Sequence, residues 1–224
     1  MMDQFHYSKL PKKIIIYGGT GQAKVVRPII NYYGSSVAAI FDDTPDLHSP
    51  FDDVDIFVGL EGLKSWLSGI KNRSEIGFVV AIGNPHGRVR LKLHEKLVNE
   101  GLIPTIIIHP SAIIAENAII GEGSQIMAGA IVMPEAIIGK ECIINTKASV
   151  DHECLIEDGS EIAPGATLCG SVHLGVNVWI CAGATILPRL TIGHDSIVGA
   201  GAVVLRDVRP STTIVGIPAK KILK

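Results

Sequence analysis

Residues 114–137 read IAENAIIGEGSQIMAGAIVMPEAI, a stretch with a period of six. Each hexad opens on an aliphatic residue (Ile114, Ile120, Ile126, Val132) and carries a small one four places later (Ala118, Ser124, Ala130, Ala136). The frame runs from Ile108 to Arg209 without an insertion. Its seventeen hexads all begin with Ile, Val or Leu, and thirteen of them have Ala, Ser or Cys at the fifth position. An α-helical stripe recurs every three or four residues and a plain strand alternates every two, so neither produces this pattern. It predicts a parallel β-helix in which each hexad makes one short strand and one corner, and three hexads close a triangular coil. The aliphatic first position fills the interior, and the small fifth position fits where the faces converge. Eighteen residues return the chain over itself, about 4.8 Å further along the axis. An aromatic content of only 5% suits so narrow a prism.

The composition differs before residue 108. KKIIIYGG predicts a buried strand ending in a Gly-rich turn, and QAKVVRPIINYYG a helix stopped by Gly34, with Pro28 as an irregularity within it. Further strands are expected at Val37–Phe41, Phe78–Ile82 and Thr105–Ile108, and a helix at Val89–Asn99. This alternation implies a small parallel sheet flanked by helices, a Rossmann-like α/β domain over residues 1–107, followed by the β-helix over 108–224 with a short C-terminal tail.

Bulk properties narrow the function. A net charge of −2 with a pI near 6.4, and Lys and Arg scattered along the chain, argue against nucleic acid and anionic membranes as partners. No run of eighteen apolar residues occurs and the N-terminus has no small-residue cleavage site, which points to the cytoplasm. Cys142, Cys154, Cys169 and Cys181 lack C-x-x-C spacing and read as buried reduced thiols. His109, His173 and His194 raise the question of zinc. His152 and His194 lie seven hexads apart, hence on different faces, and no metal is expected.

One place in the repeat carries chemistry. NTKASVDHECLIEDGSEIAPGATLCG, residues 145–170, sets His152 beside Glu153 while Val150 and Cys154 keep the inward positions. Acyl transfer to an amine needs a group that accepts a proton near neutral pH, which imidazole does, and a carboxylate can orient the ring. Adjacent residues of a strand point to opposite faces, which counts against direct contact between the two. The pair's position near a corner weakens that objection.

Together with IIIYGGTGQAKVV (14–26) and VGIPAKKIL (215–223), this segment resembles the left-handed β-helix acyltransferases of nucleotide-sugar metabolism. The likeness is to the sialic acid O-acetyltransferase family that includes UDP-4-amino-sugar N-acetyltransferases of bacillosamine biosynthesis and GDP-perosamine N-acetyltransferase. The left hand of the prism comes from this resemblance. So does an acetyl-CoA-dependent N-acetyltransferase acting on a nucleotide-linked 4-amino-4,6-dideoxy sugar, UDP-linked, in bacterial surface-glycan synthesis, and working as a homotrimer. O-acetylation of a sialic acid, and a non-catalytic nucleotide-sugar-binding trimer, are the rival readings.

The resemblance makes His152 the general base and Glu153 its supporting carboxylate. It gives Gly170, one coil after His152, a backbone N–H that holds the thioester oxygen, although a tight corner also calls for glycine. Ala182 and Ala200 match small positions along which CoA lies. Asn145 matches an asparagine near the reacting end of the sugar, and a corner cap would account for it equally. At Glu161 the similar enzymes carry a second histidine that contacts acetyl-CoA; a carboxylate cannot donate as that imidazole does. Thr20, Gly21 and Gln22 are assigned to the nucleotide sugar at a helix start, where N–H groups suit phosphate, with Asp42 and Asp43 on the nucleoside. In AIGNPHGRVRL (81–91), Gly83 and Asn84 extend this acceptor site, and Arg88 either offers charge to phosphate or is a solvated helix residue.

Overall fold

The computed structural model describes residues 10–222; the first nine residues and the last two of the expected tail lie outside it. It separates into two compact units, residues 10–82 with 92–107, and residues 83–91 with 108–222.

The first unit is a five-stranded parallel sheet of order β3-β2-β1-β4-β5: β1 Lys13–Tyr17, β2 Ser36–Asp42, β3 Ile56–Val58, β4 Ile76–Val80 and β5 Ile103–Pro104. Its helices are α1 Gly21–Tyr32, α2 Gly59–Ser68 and α3 Gly87–Asn99. Strand order reverses between β1 and β4, which makes the carboxyl end of β1 a topological switch point, the place where open α/β sheets bind ligands. The core packs Ile15, Tyr17, Phe41 and Phe78 of the sheet against Leu63 and Leu67 of α2 and Leu93 and Leu97 of α3. α1 runs through Pro28 without a break. The last strand falls at Ile103–Pro104 rather than Thr105–Ile108, because Ile107–Ile108 already opens the first coil of the prism. β3 and α2 were not anticipated from the sequence.

In the second unit seventeen two-residue strands follow one another every six residues, from Ile107–Ile108 to Val203–Val204. Each of the first fourteen pairs in parallel with the strand eighteen residues on, as Ser149–Val150 does with Thr167–Leu168, and the strands stack into three sheets. From Ile120 to Val204 every first-position residue is buried, and the fifth positions Ala130, Ala136, Ala148 and Ala166 are completely so. Burial pushes the fifth-position thiols of Cys142 and Cys154 up, to about 12 and about 11, which leaves them inert. After Val204 the period fails: Val208 makes one bridge to Ile192, Thr213–Val215 joins the sheet late, and Lys220–Lys221 pairs with it antiparallel.

The corners decide where function can sit. At every fourth hexad position from Gly123 to Gly201 the backbone has positive φ, including non-glycine residues Glu135, Glu141, Lys147, Glu153, Ser171, Asn177, Arg189 and Asp195. A left-handed residue turns the chain by breaking the alternation of a strand, so the third and fourth side chains of a hexad emerge together on the outside.

Candidate active site

His152 occupies the third position of its hexad and Glu153 the fourth, with φ 57°. The left-handed corner removes the objection drawn from strand geometry: His152 Nδ1 and Glu153 Oε2 are 2.9 Å apart. With Glu153 ionised this bond needs the hydrogen on Nδ1, and in the neutral ring the lone pair is then on Nε2. Ser171 Oγ donates to the same Oε2 at 3.3 Å, one coil on. Both members of the pair are more than half exposed.

Gly170 lies against the imidazole. A Cβ built on it would stand 2.5 Å from both Cε1 and Nε2 of His152. The left-handed residue of this corner is Ser171, φ 58°, so the turn itself does not call for glycine at 170; the space beneath the ring does. Among the described residues the Gly170 N–H has no acceptor, while its carbonyl accepts from Arg189 N at 3.0 Å.

A second histidine–carboxylate pair of the same design occurs at His194 and Asp195, with Nδ1 and Oδ2 2.8 Å apart, on a different corner of the prism. Its carboxylate is already committed. Arg88 donates to Asp195 from Nε and from Nη2, both at 2.6 Å, and Asn177 Nδ2 donates at 2.8 Å. Arg88 holds the Asp195 carboxyl well below the usual range, so this anion is compensated by guanidinium and is poorly placed to support an imidazolium. Arg88 accordingly does not stand as an open phosphate ligand here: its fork is closed on Asp195. Among the described residues no lysine or arginine pairs with Glu153, and that distinguishes the two pairs.

The remaining assigned residues fall into groups. Glu161 and Asn145 meet directly: Asn145 Nδ2 donates to Glu161 Oε1 at 3.1 Å, and Asn84 N donates to Oε2 at 3.0 Å. Glu161 is buried and its oxygens serve these two amides. Residues 83–91, expected with the first domain, group with the second unit because of these bonds and those of Arg90. Arg90 was missed by sequence reasoning. It is fully buried and donates to Glu141 O, Gly159 O and Asn84 Oδ1 at 2.9, 2.7 and 3.1 Å. The signal was present: Gly87, Arg90, Leu93, His94 and Leu97 form the buried stripe of α3, spaced three and four apart. Ala182 and Ala200 are exposed and stacked on the corner that precedes the His152 corner around the prism. Gly83 is half-buried, with open space where a Cβ would be.

In the first unit Thr20 and Gly21 are exposed at the start of α1, at the switch point, and nothing crowds a Cβ at Gly21. Gln22 lies half-buried in the same turn. Gly18 takes φ 111° where β1 passes β4; a Cβ there would come within 2.5 Å of Ala81 O. Asp42 and Asp43 each give part of their hydrogen-bonding capacity to this loop. Asp42 accepts from Gly19 N at 2.7 Å and Thr44 N at 2.9 Å, and Asp43 accepts from the buried Tyr17 hydroxyl. Burial works to raise the Asp42 carboxyl, but the two backbone donors outweigh it and hold the group below its ordinary value. Among the described residues no group of three or more His, Cys, Asp or Glu could hold a metal ion, and no helix is long and apolar enough to cross a membrane.

A prism of parallel hexapeptide coils carrying an outward histidine–carboxylate corner is the architecture of the left-handed β-helix acyltransferases. Residues 13–97 match the PglD N-terminal domain family, and residues 117–152 the bacterial transferase hexapeptide repeats. A solved structure of a GDP-perosamine N-acetyltransferase variant from Caulobacter crescentus, in complex with CoA and GDP-perosamine, is 34% identical. Its TM-score is 0.85, over 95% of this chain and 97% of that one. The acetyltransferase domain of PglB from Neisseria gonorrhoeae is 29% identical, with a TM-score of 0.83 over 94% and 100%. The chain belongs to the left-handed β-helix acyltransferase family, in the group of sugar N-acetyltransferases that carry a PglD-type N-terminal domain. Curated relatives match over about a quarter of this chain. A Schizosaccharomyces pombe protein described as an acetyltransferase is 51% identical over 24% of this chain and 26% of its own length, and a chloramphenicol acetyltransferase of Escherichia coli 44% over 25% and 26%. The chain thus spans about a quarter of the length of these relatives.

Proposed function

We propose that the protein transfers the acetyl group of acetyl-CoA to the amine of a nucleotide-linked 4-amino-4,6-dideoxy sugar, with His152 as general base. The observation that carries this reading is the corner itself: an imidazole oriented through Nδ1 by Glu153, with Gly170 packed against the ring and, among the described residues, no acceptor on its N–H. In the reaction the amine nitrogen attacks the thioester carbon and passes a proton to His152 Nε2, while the carbonyl oxygen takes up negative charge beside the Gly170 N–H. Collapse breaks the C–S bond, and the sulfur leaves as a thiolate that takes a proton back from His152. Glu153 stabilises the imidazolium in between. CoA runs along the small corner residues Ala182 and Ala200. Within the second unit Gly83, Asn84 and Asn145 are assigned to the acceptor; in the first unit, taken by itself, Thr20, Gly21, Gln22, Asp42 and Asp43 are assigned to a nucleotide.

The acceptor implied by the sequence resemblance is UDP-linked and of the bacillosamine type. The relative solved with GDP-perosamine makes the GDP-linked sugar the competing acceptor. Release of CoA thiol from acetyl-CoA, measured across UDP-, GDP- and dTDP-linked 4-amino sugars, tests the reading. Turnover is expected with the UDP-linked amine. Thiol release with hydroxyl acceptors alone would replace it by O-acetylation, and tight nucleotide-sugar binding with no thiol release by a binding role.

The enzyme is proposed to act as a homotrimer. Ile119, Ile137 and Leu155 stack in ladder register on one outer face of the prism and are 58%, 43% and 39% exposed, an apolar stripe suited to a second copy of the chain. Leu155→Glu should convert a trimer into species of the 23.8 kDa chain mass in sedimentation. An unchanged mass for that variant would remove this face from the interface.

A further inference from the structure

We propose that Glu161 is a positioning residue for the acceptor: it locks the amide of Asn145 and the backbone of Asn84 in one orientation and thereby helps select the amino sugar. This deepens the acetyl-transfer reading above and rests on it. It also moves Glu161 from the acetyl-CoA side, where the sequence resemblance put it, to the acceptor side.

Glu161 stands in the two-residue strand Glu161–Ile162, in ladder register with Ile143 and Trp179. It takes the outward position, one before the inward Ile162, on a face where the equivalent residues Gln125 and Ile143 are also buried. Glu161 is 7% exposed, and its two oxygens are engaged by different partners. Oε1 accepts from Asn145 Nδ2 at 3.1 Å and Oε2 from Asn84 N at 3.0 Å. Thr146 N donates to Asn145 Oδ1 at 2.8 Å. A carboxylate accepts only and a backbone N–H donates only, so the Asn145 amide has one orientation that satisfies both neighbours. Its second N–H and second lone pair are therefore aimed in set directions, which is what recognition of a sugar requires.

The anion is balanced from behind. Arg90, fully buried, donates to Asn84 Oδ1 at 3.1 Å and to two prism carbonyls. Burial pushes the Arg90 guanidinium down, and Glu161 is the leading charge that opposes this. Asn84 is thus held at two points, its backbone by Glu161 and its side chain by Arg90. A glutamine at 161 retains the shape but presents an NH2 group to one of two donors, so either Asn84 or Asn145 loses its partner.

The test compares Glu161→Gln, Asn145→Ala and the double variant, with KM measured separately for the amino-sugar nucleotide and for acetyl-CoA. Glu161→Gln should raise the acceptor KM about tenfold, the scale of one lost charge-assisted hydrogen bond, and leave the acetyl-CoA KM within about twofold. Because Glu161 acts partly through Asn145 and partly through Asn84, the double variant should be weaker than Asn145→Ala alone by clearly less than the factor that Glu161→Gln costs by itself. A rise in the acetyl-CoA KM with the acceptor KM unchanged would place Glu161 on the donor, and multiplying effects of the two substitutions would show that it does not act through Asn145. Hydrogen exchange gives a readout that needs no turnover: in Glu161→Gln, residues 83–91 should exchange faster while residues 123–135 do not change. No change in residues 83–91 would overturn the proposal even if the wild-type protein acetylates amino sugars. Faster exchange in a protein that acetylates none would leave the positioning role standing and remove the acetyl-transfer reading instead.

Discussion

Replacing His152 with alanine should lower kcat/KM for acetyl transfer by roughly 10²–10⁴, the range that loss of a general base produces. That corresponds to about 3–5 kcal/mol of transition-state stabilisation. The fold should be indifferent. The ring is 54% exposed, and its recorded side-chain bond is to Glu153, itself exposed, so truncation opens no cavity and strands no buried group. A thermal midpoint close to that of the unaltered protein, together with the kinetic loss, is the expected pair of results. The backbone N–H of His152, which donates to Asp151 Oδ1 at 2.8 Å, and its carbonyl, which accepts from Ser171 N at 2.8 Å, survive the substitution. Full activity in this variant would take His152 out of the mechanism. The rival His194 would then need testing, despite its carboxylate being neutralised by Arg88.

Gly170→Ala should be nearly as damaging to activity, for a steric reason. The added Cβ would lie 2.5 Å from Cε1 and Nε2 of His152, a separation that Cβ atoms do not sustain, and 3.2 Å from Cδ2, a tight contact. The backbone at 170 is not left-handed, so alanine is conformationally acceptable and the clash alone decides the outcome. An exposed ring can rotate into solvent at small cost, so stability should fall by less than about 1 kcal/mol. Catalysis has no such freedom. A displacement of about 1 Å at a reacting group can cost 10²-fold, and a loss of about that size in kcat is expected. Measuring kcat beside a thermal melt separates the two effects; a variant that melts normally and turns over normally would show that the ring does not need its place over Gly170.

Much of this was legible in the residues. The prism could be read because its repeat is enforced locally: every coil needs an aliphatic residue inward and a small one at the convergence, so the same demand is written seventeen times. His152, Glu153 and Gly170 were found through the frame of six and the coil of eighteen, and their contacts needed only one corner and its neighbour. The Rossmann-like half was read less completely. β1, β2 and α1 announced themselves by apolar runs and a Gly stop. β3 is three residues long, and its burial comes from β2 and α2 rather than from its own pattern.

What the sequence determined by itself is everything that depends on period: the prism, its inward positions, and a histidine–carboxylate pair at one outward corner. The tertiary structure decided what depends on partners far apart in the chain. Arg88 is closed on Asp195, 107 residues away, and so is no open phosphate ligand, while Glu161 binds Asn84 across 77 residues. Arg90 lies buried on a helical stripe because prism carbonyls and Asn84 accept its hydrogens. The reason is physical: periodicity reports which way a side chain points, whereas the role of a charge is settled by the opposite charge or dipole that folding brings to it.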